Sequence, residues 1–349
     1  MRIIFIYYLL DDRGSAQDIT GYTKAAKKLG HEVVVYGRSD YRSTFHYSQT
    51  INENDAIVFI FEWTMELLRG GHLDYIRLVS KVPRHRRVVI DCDGKYNNLI
   101  HCNGDYNHAT NSESKEWIQF CDSLSDKIYQ PTPNPIKKNV KTFFFHAYNQ
   151  DWEISGNYNN KKYGMVYVGN NWFRWIPMYE MLKEVQHIQR DVGKMTIIGH
   201  GWDKPAPWAK NNQEDNAHFT DPQFLKSLSI KVSPPILYSE VIKRMSDGVF
   251  NPVIYRPLFD HLDLVTCRTY ETFAANTIPL FKSDQKSSRT IYGNQVEELI
   301  LGCDPKEKIL DVINKPSYYF DIVKNIRNHL RINHSHEVRL LELIDMINL

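Results

Sequence analysis

Residues 87–98, RVVIDCDGKYNN, end a short apolar run in two aspartates one residue apart, with a glycine directly after. Three chemistries use that pattern. An aspartate can act as a phosphatase nucleophile, two hard carboxylates can hold Mg²⁺ or Mn²⁺, or the pair can form a substrate loop at the end of a buried strand. A nucleophile loop belongs on the first core strand with threonine or valine after the glycine. Here Lys95 follows the glycine and the run is the fourth strand signal of the chain. Aspartates that only hydrogen-bond loop amides are the plain alternative for Asp91 and Asp93. The neighbouring NGDYNH (103–108) adds polar groups suited to contacting a sugar or to ordering the loop.

The elements that must position this pair alternate in type. RIIFIYYLL predicts a first strand, ITGYTKAAKKLG a helix stopped by Gly30, HEVVVYG a second strand, DAIVFIF (55–61) a third and RVVIDCDG a fourth. TMELLRGGHLDYIRLVSK predicts the helix between the last two. Continuous apolar strands separated by amphipathic helices imply a parallel sheet covered on both faces. Ligands of such sheets bind beyond the carboxyl ends of the strands, and Asp11, Asp12, Glu62, Asp91 and Asp93 all fall at such ends.

The pattern restarts after a polar, proline-bearing stretch over 130–162 that reads as a connector. YGMVYVGN (163–170), KMTIIGHGW, VFNPVIY and TIPLF predict strands, with helices at WIPMYEMLKEVQHIQRD, SEVIKRMSDG and CRTYETFAAN, and a tail that is helical throughout. We therefore expect two doubly wound Rossmann-like α/β domains facing each other across a cleft. Residues 1–150 and 151–330 form the two domains, and 331–349 a C-terminal helix that can pack back on the first. The cleft is the expected pocket.

Composition narrows the class. The 349 residues are 42% hydrophobic and 24% charged, and a formal net charge of +2 argues against global attraction to nucleic acid. The five cysteines, Cys92, Cys102, Cys121, Cys267 and Cys303, form no Cys-x-x-Cys pair, which implies neither a zinc site nor a disulfide framework but a reducing cytoplasm. The opening apolar run is too short for a membrane span. The cluster Trp172, Phe173 and Trp175 is expected to be mostly core.

In the second half, Asp263 precedes Glu271 by eight residues, and Ala274, Ala275, Asn276 and Pro279 follow. Together with YVGNNWFRW (167–175), IIGHGW (197–202) and PPILYSEVIKRMSDGVFNPV (234–253), this order resembles the nucleotide-sugar half of GT-B glycosyltransferases, and most closely the CgeB-like spore-maturation group. Asp263 stands where the family has a glutamate, and Asn276 where it has a glycine. Asn tolerates a left-handed backbone better than most residues, so the turn can survive.

The resemblance implies a glycosyltransferase that moves a sugar from a nucleoside-diphosphate donor, such as a UDP-sugar, to an unidentified acceptor. No cofactor or metal is required. Glu271 would bind the ribose hydroxyls, Arg174, Arg256 and Arg268 the diphosphate, Gly169 a close approach to the phosphates, and Tyr238 the base. A strand-end carboxylate of the first domain, Asp93 or Asp91, with Asp12, His108 and His146 behind them, would deprotonate the acceptor. The alternatives are transfer to a modified pyrimidine of DNA, with KVPRHRR (81–87) and Lys137–Lys138 as pieces of a basic track; a metal-dependent GT-A-type transferase using Asp91 and Asp93; and a non-catalytic nucleotide or glycan binding module.

Overall fold

The computed structural model describes residues 1–7, 14–36, 45–61, 75–156, 158–204, 217–281 and 288–349. Asp11, Asp12 and Glu62 lie outside the described residues.

The β-branched and aromatic runs form two wholly parallel sheets. The first comprises β1 (Arg2–Ile6), β2 (Glu32–Tyr36), β3 (Tyr47–Ser48), β4 (Ala56–Phe61), β5 (Arg87–Asp91), β8 (Ile128–Gln130) and β9 (Val140–Thr142), in the order β3-β2-β1-β4-β5-β8-β9. Between β5 and β8 a hairpin, β6 (His101–Cys102) with β7 (Asp105–Tyr106), stands outside the sheet. The second sheet runs β12 (Lys231–Ser233), β11 (Met195–Ile198), β10 (Tyr163–Val168), β13 (Gly248–Pro252), β14 (Ile278–Leu280). In each sheet the order reverses beside the first strand, between β1 and β4 and between β10 and β13, which opens a crevice at the carboxyl ends.

Both faces of the first sheet are covered. Ile3 and Phe5 pack on one side with Leu340, Leu343 and Ile347 of the last helix, while Ile4 and Ile6 pack on the other with Trp117, Cys121 and Leu124. Each such fully buried side chain contributes about 1.5–3 kcal/mol of transfer free energy, so the last helix is strongly held to the first sheet.

Three expectations about elements are corrected. QPTPNPIKKNVK is not a connector: it joins β8 to β9 within the first sheet, whose three-residue strands are too short to show a period. KVPRHRR lies at the amino end of β5, away from the ligand-binding ends. There Arg84 pairs with Asp126, Arg86 donates to the carbonyls of Asn54 and Asp55, and buried Arg87 donates to those of Val79, Val82 and Leu124. The tail is broken into Pro316–Asn333 and His336–Asn348, with Ser335 capping the second helix through Val338 N.

That break has a use. The chain passes between the two sheets near Tyr148 and returns at His334, where Tyr148 N donates to His334 O at 2.7 Å and Tyr148 bridges Ser335 in parallel. Buried Asp18, on the helix Gly14–Lys28, ties the crossing down. It lies 2.7 Å from His146 Nδ1 and 3.2 Å from His336 Nε2 and accepts from Ala147 N at 3.1 Å. His146 thus belongs to this junction.

Candidate active site

The strand β10 ends at Gly169, and its loop is stitched to the loop after β11. Gly169 N donates to Ile198 O and Gly169 O accepts from buried Trp202 Nε1, both at 2.8 Å. The two strand ends approach so closely that a Cβ on Gly199 would stand 2.2 Å from Gly169 O, and Gly199 has φ +151°. Only glycine fits there. A Cβ on Gly169 itself would meet Tyr167 Oη at 3.0 Å. Asn170 Oδ1 accepts from His200 N, and Asn171 Nδ2 donates to Gly201 O and Phe219 O. These contacts hold the loop that carries Trp172, Phe173 and Arg174. Trp175 is core, whereas Trp172 and Phe173 are only half-buried, and Phe173 has φ +54°. A bulky residue pays for that left-handed backbone.

Arg174 stands at the amino terminus of the helix Trp175–Gln186, and its guanidinium donates to the carbonyls of Asn170 and Trp172, at 3.2 and 3.4 Å. Burial pulls its pKa below the usual arginine value, and repulsion from Arg256 and Arg268 adds to the shift. The structure therefore brings the three predicted arginines into one electrostatic neighbourhood. A cation beside a helix amino terminus is in an unfavourable field, and an anion there would relieve both effects.

Glu271, in the helix Arg268–Ala274, is fully buried. Its Oε1 accepts from Tyr238 Oη. Its Oε2 lies 3.1 Å from Arg268 Nη1, an ion-pair distance, yet accepts no hydrogen bond among the described residues. Arg268 also donates to Val168 O and Met245 Sδ, which fixes its guanidinium beneath the end of β10. Burial works against its charge, but Glu271 holds its pKa above the usual value. Asn276 closes the helix with φ +55°, so asparagine does take the left-handed turn. Tyr238 is directed at Glu271 by its hydroxyl, and that bond orients the carboxylate.

Arg256 has a different environment. Its Nε and Nη2 form a fork on Asp105, at 2.8 Å through Nε, and Asp105 also accepts from Leu258 N at 3.0 Å. Asp105 is on β7, in the first half of the chain, so this bridge crosses between the halves. Sequence reasoning missed Asp105; its place in a polar turn was the one available signal.

On the first-half side, Asp91 is the last residue of β5 and is fully buried. Its carboxylate accepts from Lys95 N at 2.9 Å, Tyr96 N at 2.8 Å and Gln130 Nε2 at 2.7 Å. Burial pushes its pKa above the usual carboxylate value against the pull of Gln130 and the two amides. A carboxylate so fully engaged orders its loop, which does not suit a metal ligand. Asp93 is half-buried on the same loop. Gly94, with φ +74°, approaches the second half so closely that a Cβ would stand 2.4 Å from Leu262 Cδ1. NGDYNH proves to order this loop: Asn107 accepts from Ile100 N and donates to Gly94 O and Asn98 O, and His108 Nε2 lies 2.8 Å from Lys95 O. Lys137 lies over the Tyr96 ring at 4.8 Å, so the 137–138 pair stands near this loop.

No family model matches the chain, and no curated protein matches it in sequence. Its fold does match solved structures over the full length of both chains. An α-glucosyltransferase in complex with UDP-glucose and DNA containing an abasic site superposes with a TM-score of 0.65 at 14% identity, covering 100% of each chain. An α-glucosyltransferase bound to UDP and a DNA containing an HMU base gives 0.59 at 15% identity, again covering 100% of each. The β-glucosyltransferase of phage T4 in complex with UDP and Mn²⁺ gives 0.57 at 12% identity, covering 100% of this chain and 99% of that one. The chain has the GT-B architecture of these glucosyltransferases: two doubly wound parallel sheets whose carboxyl ends bear Asp93 on one side and Glu271 with three arginines on the other.

Proposed function

We propose that the chain is a glycosyltransferase that transfers a sugar, such as glucose, from a UDP-type nucleotide sugar. Residues 151–330 hold the donor and residues 1–150 the acceptor. One observation carries the reading: buried Glu271 has an oxygen that accepts no hydrogen bond among the described residues and lies 3.1 Å from the Arg268 guanidinium, while Arg256 and Arg268 both repel Arg174. Such a set suits a ligand that offers vicinal hydroxyls at one end and a diphosphate at the other. The order of motifs over 163–281 that resembles CgeB-like transferases is retained as a kinship of the donor half.

In this reading Tyr238 orients Glu271 to accept from the ribose hydroxyls. Arg174 and Arg268 neutralise the charge that develops on the leaving diphosphate, with Arg256 beside them, so metal is not essential. Gly169 and Gly199 let the backbone approach the phosphates. Asp93, half-exposed on a loop anchored by Asp91, takes the proton of the acceptor hydroxyl. Nucleotide sugars are made in the cytoplasm, and we place the reaction there; none of the five cysteines forms a disulfide, and no described helix is long and apolar enough to cross a membrane.

For the acceptor we infer a hydroxylated pyrimidine in DNA. The solved structures of this fold that hold DNA support it, and so does a row of rings, His101, Tyr106, Phe173, Trp172 and His218, spaced 5.2–6.4 Å centre to centre at the junction of the halves. Flat side chains in series suit stacking on an extruded base.

Titration calorimetry with UDP, followed by UDP release from a panel of nucleotide sugars with hydroxymethylated duplex DNA, tests the reading. UDP should bind, chelator should leave turnover intact, and Asp93→Asn should abolish transfer while UDP still binds. Absence of UDP binding would overturn the donor assignment; metal-restorable loss with chelator would restore the Asp91–Asp93 cation site. No duplex binding at low salt would remove the DNA acceptor.

A further inference from the structure

The bridge between Asp105 and Arg256 is more elaborate than a surface ion pair. Asp105 is completely buried, and its two oxygens meet three donors: Arg256 Nε, Arg256 Nη2 and Leu258 N. The Arg256 guanidinium carbon lies 5.3 Å from the centre of the Phe173 ring and 4.9 Å from that of Phe259. A carboxylate grips one edge of the guanidinium and two rings flank it, a geometry in which arginine's planar fork is fully oriented. One of those rings belongs to Phe173, which has a left-handed backbone, φ +54°.

The grip is transmitted. Two residues after Asp105, Asn107 donates to Gly94 O at 3.2 Å and to Asn98 O at 3.0 Å, and accepts from Ile100 N at 2.9 Å. Gly94 follows Asp93 directly. On the other side, Arg256 precedes Pro257–His261, whose Leu258 packs with Leu262, Leu264 and, from the first half, Ile100. A short path therefore runs from Arg256 of the second half by hydrogen bond to Asp105, along the chain to Asn107, and by hydrogen bond to the loop of Asp93.

We propose that Asp105 is a positioning residue: by holding Arg256 across the junction it sets the register of the Asp93 loop against the arginine cluster, and so acts on the transfer step rather than on donor affinity. The proposal rests on the nucleotide-sugar reading above. It differs from simple interdomain adhesion, which would lower stability without separating turnover from binding.

Asp105→Asn keeps the volume and removes the charge; Asp105→Glu keeps the charge; Arg256→Lys keeps the charge but loses the fork. UDP affinity by calorimetry, initial rates of UDP release and amide hydrogen exchange are measured on each full-length variant. We expect Asp105→Asn to lower kcat about tenfold or more while the Kd for UDP moves no more than about threefold. Asp105→Glu should recover part of kcat. The double variant Asp105→Asn with Arg256→Lys should be no slower than the slower single variant, since both remove one interaction. Amides of 94–107 should exchange about tenfold faster in Asp105→Asn while those of 268–274 stay protected. Unchanged kcat, additive losses, unchanged exchange at 94–107, or a UDP affinity reduced as far as by Arg268→Ala would each overturn the proposal. If Asp105→Asn does not fold, Arg256→Lys carries the same kcat and exchange tests. If the wild-type chain binds no UDP, the donor reading fails instead, and the exchange result still decides whether the bridge sets the loop.

Discussion

Asp91 and Glu271 invite comparison because both are carboxylates with no exposed surface, one at the ligand end of each sheet. Asp91 meets two backbone amides and the Gln130 side chain, so its hydrogen-bonding capacity is spent inside the fold. Glu271 meets one tyrosine hydroxyl through Oε1, while its Oε2 lies in ion-pair contact with Arg268 and accepts no hydrogen bond among the described residues. Burial alone therefore says little about role. What separates a loop anchor from a ligand-binding carboxylate is whether its lone pairs are already matched by the chain.

The comparison can be broken in several ways. The largest effect expected is on Asp91: Asp91→Ala strands the Lys95 and Tyr96 amides and Gln130, and should cost about 3 kcal/mol of stability in urea denaturation. The folded fraction should still bind UDP. A variant as stable as wild type, or one that folds but loses UDP, would make Asp91 a ligand-facing group. Glu271→Ala should differ in kind, weakening UDP about thirtyfold (~2 kcal/mol) on top of the stability lost by leaving the buried Arg268 guanidinium unpaired. Unchanged affinity would remove the ribose assignment. Tyr238→Phe should be milder, about fivefold (~1 kcal/mol), because it only frees Glu271 to rotate. Equal losses for Tyr238→Phe and Glu271→Ala would mean that the tyrosine itself touches the nucleotide.

The smallest effect is a slope with pH, and its sign is informative. Burial, with Arg339 and His329 nearby, depresses the pKa of His334 at the chain crossing from 6.5 to about 3. The folded state resists protonation, so this contribution is fully present above pH 6.5 and is lost as pH falls toward 3. Asp91, with its pKa raised, slopes the other way, losing stability as pH rises through its folded value. Urea midpoints between neutral and mildly acid pH should therefore fall with acidity, and His334→Gln should flatten that slope. A slope of opposite sign would assign control to Asp91 and remove His334 from the crossing's energetics.

Much of this molecule was legible in the residue order. Runs such as AIVFIF and YGMVYV name buried parallel strands because both faces must be apolar, and strand ends locate the site in any doubly wound sheet. The pattern around Glu271 placed it early in a helix, and Asn276 was expected to allow a left-handed turn, as it does. The breaks were less visible. Strands β8 and β9 have three residues each, too few for a period, so the prolines between them passed for a connector. The C-terminal apolar pattern runs on past His334 and Ser335, where the Ser335 cap and the contact of Tyr148 with His334 and Ser335 together interrupt the helix.

By itself, then, the sequence determined two sets of parallel strands and their carboxyl ends, because apolar periodicity is a local property of the chain; Glu271 and the arginines were singled out only through a family resemblance. Only the tertiary structure decided which charges are spent and which remain. Asp91 is consumed by its own loop, Arg256 is gripped by an aspartate about 150 residues earlier, and Glu271 keeps a lone pair. Those outcomes depend on which groups meet across the two sheets, and pairing between distant residues leaves no mark in spacing or composition.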